Sequence, residues 1–509
     1  TKFRGRLNYQ AGDKNLIEVK LDSDRMDLRE MLGDGPIWSA WLSPDGGNDA
    51  APQSGGGNLL TQLRDDDVRA TLQVGELLLP NIPPGKLDAK LTLAGGTLDV
   101  EALDFLAPGA ITLNGKGRIE NVADAPQGRV DVTLQAETTE SVRVLSELFG
   151  FSEDVSGSKQ LSALVPLDVQ AGLVAARNET ATKASLELSG KIGGSDIGLN
   201  AHATGSPAKL ADAEIDIAGS VTGDRPQALL ALLFPQLPQD RLSAAAGTEG
   251  TLSVEVAGVP SSKLTGKASL ETRAMQLAVE GQGALTDDGV TLNGFGSIAT
   301  EDASLAIPLF GLDAPPSATG VPLTVSANIA KDGDEIELEQ VKARIGGDAV
   351  EGNARFERDG AKTTFKIAAN ADRVSLPAVL GILVAWERSS ETEEMLGTIS
   401  ADTAEVWPAR GFALDIIDQA QGDVTLNAKT LMLGTPFEVK GATLNARVDD
   451  DGIAVTGLDG QLFDGAFAAS GTLSPRGNGA ALTAQAKLQG ASLEELSQGV
   501  AGKKPVSYT

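Results

Sequence analysis

Side chains able to do chemistry are few in this sequence, and their spacing builds no reactive centre. His202 is the only histidine in 509 residues, and there is no cysteine. That leaves no means of building a histidine or thiolate metal site, a Ser-His-Asp or Cys-His nucleophile, or a histidine acid–base pair. His202 lies in Leu199-Asn-Ala-His-Ala-Thr204, on the polar side of an alternating run, and reads as a solvated surface residue. Asp65-Asp66-Asp67 and Asp449-Asp450-Asp451 offer hard oxygen ligands, but neither has the spaced ligands of a calcium loop. Exposed turn acids is the plainer reading. Asn178-Glu179-Thr180 fits a glycosylation acceptor and is a chance match at this length. The 70 acidic residues contain many carboxylate pairs of the kind a glycosidase uses, yet four Trp and two Tyr give no sugar platform. No phosphate loop, nucleophile elbow or zinc spacing is present. The expectation is a chain that is not an enzyme and carries no cofactor and no metal.

The charge balance narrows the partners. A formal net charge of −28 is the wrong sign for nucleic acid, which needs a basic footprint, and an anionic bilayer surface would repel most of the chain. Its plain meaning is solubility. Hydrophobic residues make up 41% of the chain but aromatics only 4%, so apolar surface must come from Val, Leu, Ile and Ala. The absence of Cys leaves cytosol and periplasm both open. The sequence starts at Thr1 without Met or a basic leader, and the apolar stretches Ala228–Phe234 and Leu376–Trp386 fall short of the about 20 residues a bilayer span needs. A soluble piece of a longer protein is expected.

The elements that must position these residues are strands. Val130, Val132, Leu134 and Ala136 alternate with Asp131, Thr133 and Gln135, and the same period of two returns at Ile111–Gly115, Leu252–Val256, Leu323–Ile329, Phe365–Ala369, Val424–Ala428 and Leu482–Leu488. Asp288-Gly289, Asp332-Gly333, Asp359-Gly360 and Asp451-Gly452 are tight-hairpin dipeptides, because Gly accepts positive φ and Asp tolerates it. Short turns join antiparallel neighbours.

A larger period lies above the strands. Five stretches end in an acidic or hydroxyl residue followed by Leu-rich sequence: 22–32, 140–148, 224–233, 372–380 and 491–496. Each reads as a short capped amphipathic helix closing a unit. The fold expected is all-β: an elongated, mostly antiparallel repeat sheet curved into a gutter-like groove, with short amphipathic helices at unit ends. The divisions expected are residues 1–42 as the end of a preceding β unit, 43–66 as a flexible linker around the Gly-rich Ser43–Asn58, β-repeat regions at 67–240, 241–318 and 319–388, and a C-terminal β region at 389–509. Leu312–Gly320 reads as a joint and Ser389–Glu394 as a loop.

The C-terminal region is the most specific. Gly452-Ile-Ala-Val-Thr-Gly-Leu-Asp-Gly-Gln-Leu-Phe-Asp-Gly-Ala-Phe-Ala-Ala-Ser-Gly-Thr-Leu473 resembles the C-terminal region of the AsmA-like family. Gly333–Phe356 looks like a second copy, with Val341–Gly347 at its Gly-centred turn, and Gly95–Ile119 like a third, with Pro108-Gly109 there. The resemblance implies a periplasmic protein of Gram-negative bacteria, anchored in the inner membrane by an N-terminal segment this sequence lacks. It also implies a part in phospholipid movement and outer-membrane biogenesis, with membrane partners reached through regions outside this chain.

The alternation by itself supplies an apolar face, which reads either as an ordinary packed core or as an open groove for acyl chains. In the groove reading its lining is Ile111, Leu113, Val130, Val132, Leu134, Val254, Val256, Val325, Phe365, Ile367, Leu426, Ala428, Leu444, Ala446, Val455, Phe467 and Leu482. Ala428 and Ala446 look small enough to leave space for a guest or a substituted charge. Leu376–Trp386 reads as a plug for the sheet or as a gating segment. The competing function is a non-enzymatic scaffold or adhesin such as a β-helix, although Asp-Gly hairpins and uneven strands fit that poorly. An outer-membrane barrel would need aromatic girdles that are missing.

Overall fold

The computed structural model describes residues 3–12, 14–27, 66–79, 82–108, 110–122, 127–148, 159–177, 181–205, 210–224, 249–286, 289–310, 321–359, 362–376, 379, 419–434, 437–476, 479–492 and 494. These residues form an all-β, mostly antiparallel open sheet of 25 strands. The chain divides into two units, one of residues 1–235 and 246–268, the other of 236–245 and 269–509.

The first unit begins with β1 (Phe3–Gln10), β2 (Asn15–Ser23), β3 (Met26–Asp27) and β4 (Asp66–Leu79). Next come β5 (Ile82–Ala94), β6 (Thr97–Ala107), β7 (Ile111–Glu120), β8 (Gln127–Ala136), helix α1 (Thr139–Leu148) and β9 (Leu167–Arg177). It closes with β10 (Thr182–Ile192), β11 (Ser195–Gly205), β12 (Glu214–Gly223), β13 (Gly250–Val259) and β14 (Lys263–Thr272), inside which the division falls. The second unit continues with β15 (Met275–Thr286), β16 (Gly289–Thr300), β17 (Leu323–Asp332), β18 (Glu335–Ile345), β19 (Asp348–Asp359) and β20 (Lys362–Ser375). It ends with β21 (Ala420–Gly434), β22 (Phe437–Asp449), β23 (Gly452–Leu462), β24 (Gly465–Arg476) and β25 (Gly479–Gln489).

Two joints depart from the antiparallel rule. β4 runs parallel to β2 and β3, and β21 runs parallel to β20. Parallel neighbours need a crossover of a dozen or more residues. The crossovers are 28–65 and 376–419, which contain the stretches read from sequence as linker and loop. Elsewhere the long connections do not break pairing. β12 pairs with β13 from Ile215↔Gly258 to Gly223↔Gly250, and β16 with β17 from Thr291↔Asp332 to Thr300↔Leu323.

The three stretches that look alike in sequence fold alike. β6, β18 and β23 each carry a bulge, where two residues face one on the next strand: between Val100 and Leu103, Leu338 and Val341, and Val455 and Leu458. In all three the turn closes four residues after the bulge, at Ala107↔Ile111, Ile345↔Asp348 and Leu462↔Gly465. A bulge bends its strand and tightens the local twist, so the same bulge-to-turn spacing recurs three times, with three residues in the first turn and two in each of the others. Gly346 and Gly347 at φ 59° and 99° let the second of these turns close without strain.

Long connections gather at one end of the strands within each unit. In the first, Thr138 Oγ1 accepts from the Ser141 amide at 3.2 Å and caps α1. Val142, Val144 and Leu145 then pack with Leu161 onto Val74, Leu77, Phe105, Ala107, Ile111 and Ala136. In the second, the turns Ala303–Leu305 and Ile307–Phe310 follow β16, with Asp302 Oδ1 accepting from the Ser304 amide at 3.2 Å. This stretch, 301–310, is a sixth closing segment that the sequence reading does not flag. Val374, Leu431, Val439, Leu462 and Phe467 form the buried cluster at the same strand ends as β20–β24 turn.

Of the five closing stretches read as helices, 140–148 lies in α1. Asp22–Ser23 and Asp372–Ser375 instead extend strands β2 and β20, because neighbouring strands are long enough to pair them. Met26–Asp27 form the short strand β3. Residues 28–32, 225–233, 377, 378, 380, 493, 495 and 496, most of Leu376–Trp386, and the residues Asp65, Asp288, Gly360, 178–180, 312–320 and 389–394 lie outside the described residues.

Candidate functional site: the apolar face

Register decides which side chains share a face. From β7 to β13 the ladders are antiparallel and free of bulges. One row therefore runs Gly117–Val130–Leu173–Leu186–Ala201–Ile217–Val256 across seven strands. The next runs Gly115–Val132–Ala171–Leu188–Leu199–Gly219–Val254, and a third Leu113–Leu134–Val169–Gly190–Ile197–Val221–Leu252. None of these 21 positions is charged or hydrogen-bonding in its side chain. The rows between them are polar, as in Lys116–Asp131–Gly172–Glu187–Asn200–Ala218–Glu255.

The second unit repeats the arrangement from β19 to β25. Its rows are Phe356–Phe365–Gly422–Val448–Ile453–Leu473–Leu482, Ala354–Ile367–Val424–Ala446–Val455–Gly471–Ala484, and Gly352–Ala369–Leu426–Leu444–Leu458–Ala469–Ala486. On its opposite face, direct cross-strand partners hydrogen-bond to each other: Arg447 to Asp423 at 2.9 Å, Thr425 to Asn445 at 3.2 Å and Thr443 to Asn427 at 3.2 Å. Such pairs hold neighbouring strands together while leaving their face wet.

The backbone crowds together on the apolar side. A Cβ on Gly128 would lie 2.0 Å from the Arg118 carbonyl oxygen, and one on Gly294 2.2 Å from that of Glu280. Only glycine permits these approaches, which bend the sheet locally.

All seventeen residues expected to line a groove lie on the apolar face of their own unit, but they are not equivalent. Ile111, Ala428, Leu444 and Phe467 belong to the buried strand-end clusters, where protein side chains cover them. Ala428 is 5% exposed, opposite Ala371 and Ala442, so the space inferred from its small side chain is already filled. Leu113 and Leu134 pack against the first cluster, and Leu426 and Val455 against the second. Val130, Val132, Val254, Val256, Val325, Phe365, Ile367 and Ala446 are half-buried, and Leu482 on the last strand is 55% exposed. Sequence reading missed Leu173, Leu186, Ile215 and Ile217 on the same face, although Glu214-Ile-Asp-Ile217 carries the same alternation. Leu173 is 46% exposed in mid-sheet, so solvent reaches this face well away from any edge.

The polar features serve structure. His202 is exposed on the polar face opposite Asp216. Asp66 accepts from Asn15 Nδ2 at 2.8 Å, Asp67 from the Gly95 amide at 3.1 Å and Asp449 from the Asp451 amide at 3.0 Å, all at strand ends. Asp423 raises the Arg447 pKa, and Asp131 that of Arg129, each first by a hydrogen bond and then by its charge. Among the described residues no group of three or more His, Asp or Glu is placed to hold a metal ion. A recess of about 580 Å³ has Gln276, Ser297, Ser326, Lys342, Arg344 and Glu351 in its wall, but its charges of both signs favour no one ligand. Among the described residues no helix is long and apolar enough to cross a membrane. No family model, curated protein or solved structure matches the chain.

Proposed function

We propose that this chain binds the acyl chains of phospholipids on its apolar face and acts as a periplasmic lipid conduit in outer-membrane biogenesis, as its resemblance to AsmA-like proteins implies. The observation that carries the reading is the unbroken run of uncharged rows over seven strands, with solvent reaching Leu173 in their midst. An ordinary core would cover such a surface along its whole length. Exposed apolar patches of this extent mark binding surfaces. The antiparallel ladders weigh against the β-helix scaffold, which stacks parallel coils.

The conduit works by passive sliding and not by catalysis. Each methylene transferred from water to the face is worth about 0.8 kcal/mol, and an evenly apolar face keeps that gain nearly level along the path. Mass spectrometry of organic extracts from the purified protein should find phospholipid at near-stoichiometric amounts. Protein that comes out lipid-free, and takes up none from vesicles, contradicts the reading.

A further inference from the structure

The polar face of the second unit carries a groove that the fold itself leaves unfilled. The recess of about 580 Å³ lies between two rows of side chains that cross β15–β18: Gln276–Ala299–Thr324–Arg344 and Ala278–Ser297–Ser326–Lys342. The residues between these rows turn their side chains to the apolar face, so backbone forms the floor. Ala278, Ser297, Ala299 and Ser326 are small and keep the middle open. Glu271 on β14 lines one end, and Lys342, Arg344 and Glu351 line the other. From β15 to β19 the groove spans four strand spacings, about 19 Å.

Two observations point to a ligand. The first is that the polar side chains of the groove are free. Gln276, Ser297, Thr324, Ser326, Lys342 and Arg344 make no side-chain hydrogen bond or ion pair among the described residues, although Ser297 and Ser326 stand directly opposite each other. On β21 and β22 of the same face such partners are bonded, Thr425 to Asn445 and Thr443 to Asn427, both at 3.2 Å. The second is Phe295, two residues from Ser297 on β16, which stands 42% exposed on this wet face between Glu280 and Asn328. Two carboxylates balance two cations in the lining, so charge favours neither a polyanion nor a polycation, and the choice of ligand falls to the uncharged groups. Hydroxyls and amides both donate and accept, which suits a partner that does the same along its length. We propose that the groove binds a neutral, linear oligosaccharide. One sugar ring lays its C–H face on Phe295, where an aromatic ring offers a flat apolar surface, and the neighbouring units bond to Ser297, Ser326, Thr324 and Gln276. Counting Trp and Tyr overlooks this platform because its ring is a phenylalanine. A peptide is the poorer fit, because the groove crosses the strands and the backbone in its floor is committed to the sheet ladders. The groove lies on the face opposite the acyl chains, so the inference stands apart from the acyl-binding reading.

The test is saturation-transfer NMR of the full chain with cellotetraose, chitotetraose and, as the peptide probe, blocked tetraalanine. Two variants are compared with the wild type. Phe295→Ser removes an exposed ring, and Ser297→Leu/Ser326→Leu fills the middle of the groove with side chains that suit strands. The wild type is expected to transfer saturation to at least one of the sugars and not to the peptide. Phe295→Ser should weaken sugar binding about tenfold, and the filled variant should abolish it, with the circular dichroism spectrum and bound lipid unchanged in both. Absence of transfer to both sugars overturns the inference, as does sugar binding that is undiminished in either variant. Binding of tetraalanine in place of the sugars overturns it in favour of a peptide groove. Each of these outcomes leaves the acyl-binding reading intact, since that reading is judged by the lipid extracted from the same protein.

Discussion

On β8, Ala136 is fully buried while Val130, six residues back on the same face, is half-exposed. On β21–β24 the same contrast separates Leu431 and Val439, both 0% exposed, from Val424 and Ala446. Residue types do not explain it, because Val, Leu, Ile and Ala occupy both halves. What differs is the cover. α1 lies over the strand ends in the first unit, and tightly closed bulged hairpins pack together in the second. Among the described residues, the large apolar side chains left open on this face are Leu7, Tyr9 and Leu173 in the first unit and Leu285, Val290, Leu482 and Leu488 in the second; all but Leu488, which lies on the last strand opposite Phe467, are in rows away from the closing segments. Each unit thus keeps one half of its apolar face as its own core and leaves the other half uncovered.

The contrast breaks most visibly under charge. Leu431→Asp places a carboxylate where nothing can pair it, a cost of several kcal/mol that rivals the whole stability of a domain. It should abolish the cooperative thermal transition. Val132→Asp, on the half-exposed floor, can turn to water and should lower the transition only slightly while removing bound lipid. Equal loss of folding in both variants would erase the distinction between the halves.

A smaller effect separates two alanines that look interchangeable in sequence. Ala428→Arg forces a long side chain between Ala371 and Ala442, and overpacking of this kind costs roughly 1–3 kcal/mol before the charge is counted. Ala446→Arg, half-buried opposite Val424 and Val455, should express and melt nearly as the wild type yet fail to rescue an outer-membrane permeability defect. Urea unfolding of the two variants compares them directly. A well-folded Ala446→Arg protein that rescues fully would favour a scaffold over a conduit.

How much of this was legible depends on the range of the forces involved. The period of two at Val130–Ala136 is local, so strand type and the two faces can be read directly. The bulges are also half-legible, because Val100-Glu-Ala-Leu103, Leu338-Glu-Gln-Val341 and Val455-Thr-Gly-Leu458 each slip the alternation by one. Burial along a strand is not local. Ala428 is filled in by Ala371 and Ala442, which arrive from other strands, and nothing in Leu426-Asn-Ala428 announces them. The parallel joints were hidden for the same reason: what β4 and β21 pair with is set across long crossovers and not by neighbouring residues.

The smallest effect belongs to the cover. At the first turn of α1, Arg143 Nε donates to Glu140 at 3.0 Å and holds that carboxylate below its ordinary pKa. A depressed carboxylate adds stability above its unfolded pKa, and that stability goes as pH falls through the folded value. Helix content followed by circular dichroism should therefore show a slight loss on acidification below the ordinary carboxylate range. Arg143→Met should remove that pH dependence while leaving the second unit's transition in place.

The central claim, that the uncovered half of the face is the lipid surface, is tested most directly by photo-crosslinking in cells. A photoreactive residue is placed in turn at Val132, at its polar neighbour Asp131 and at buried Ala136, and phospholipid attachment is measured by mass spectrometry. The account predicts adducts from Val132 and none above background from Asp131 or Ala136. Equal labelling at Val132 and Asp131 would contradict it.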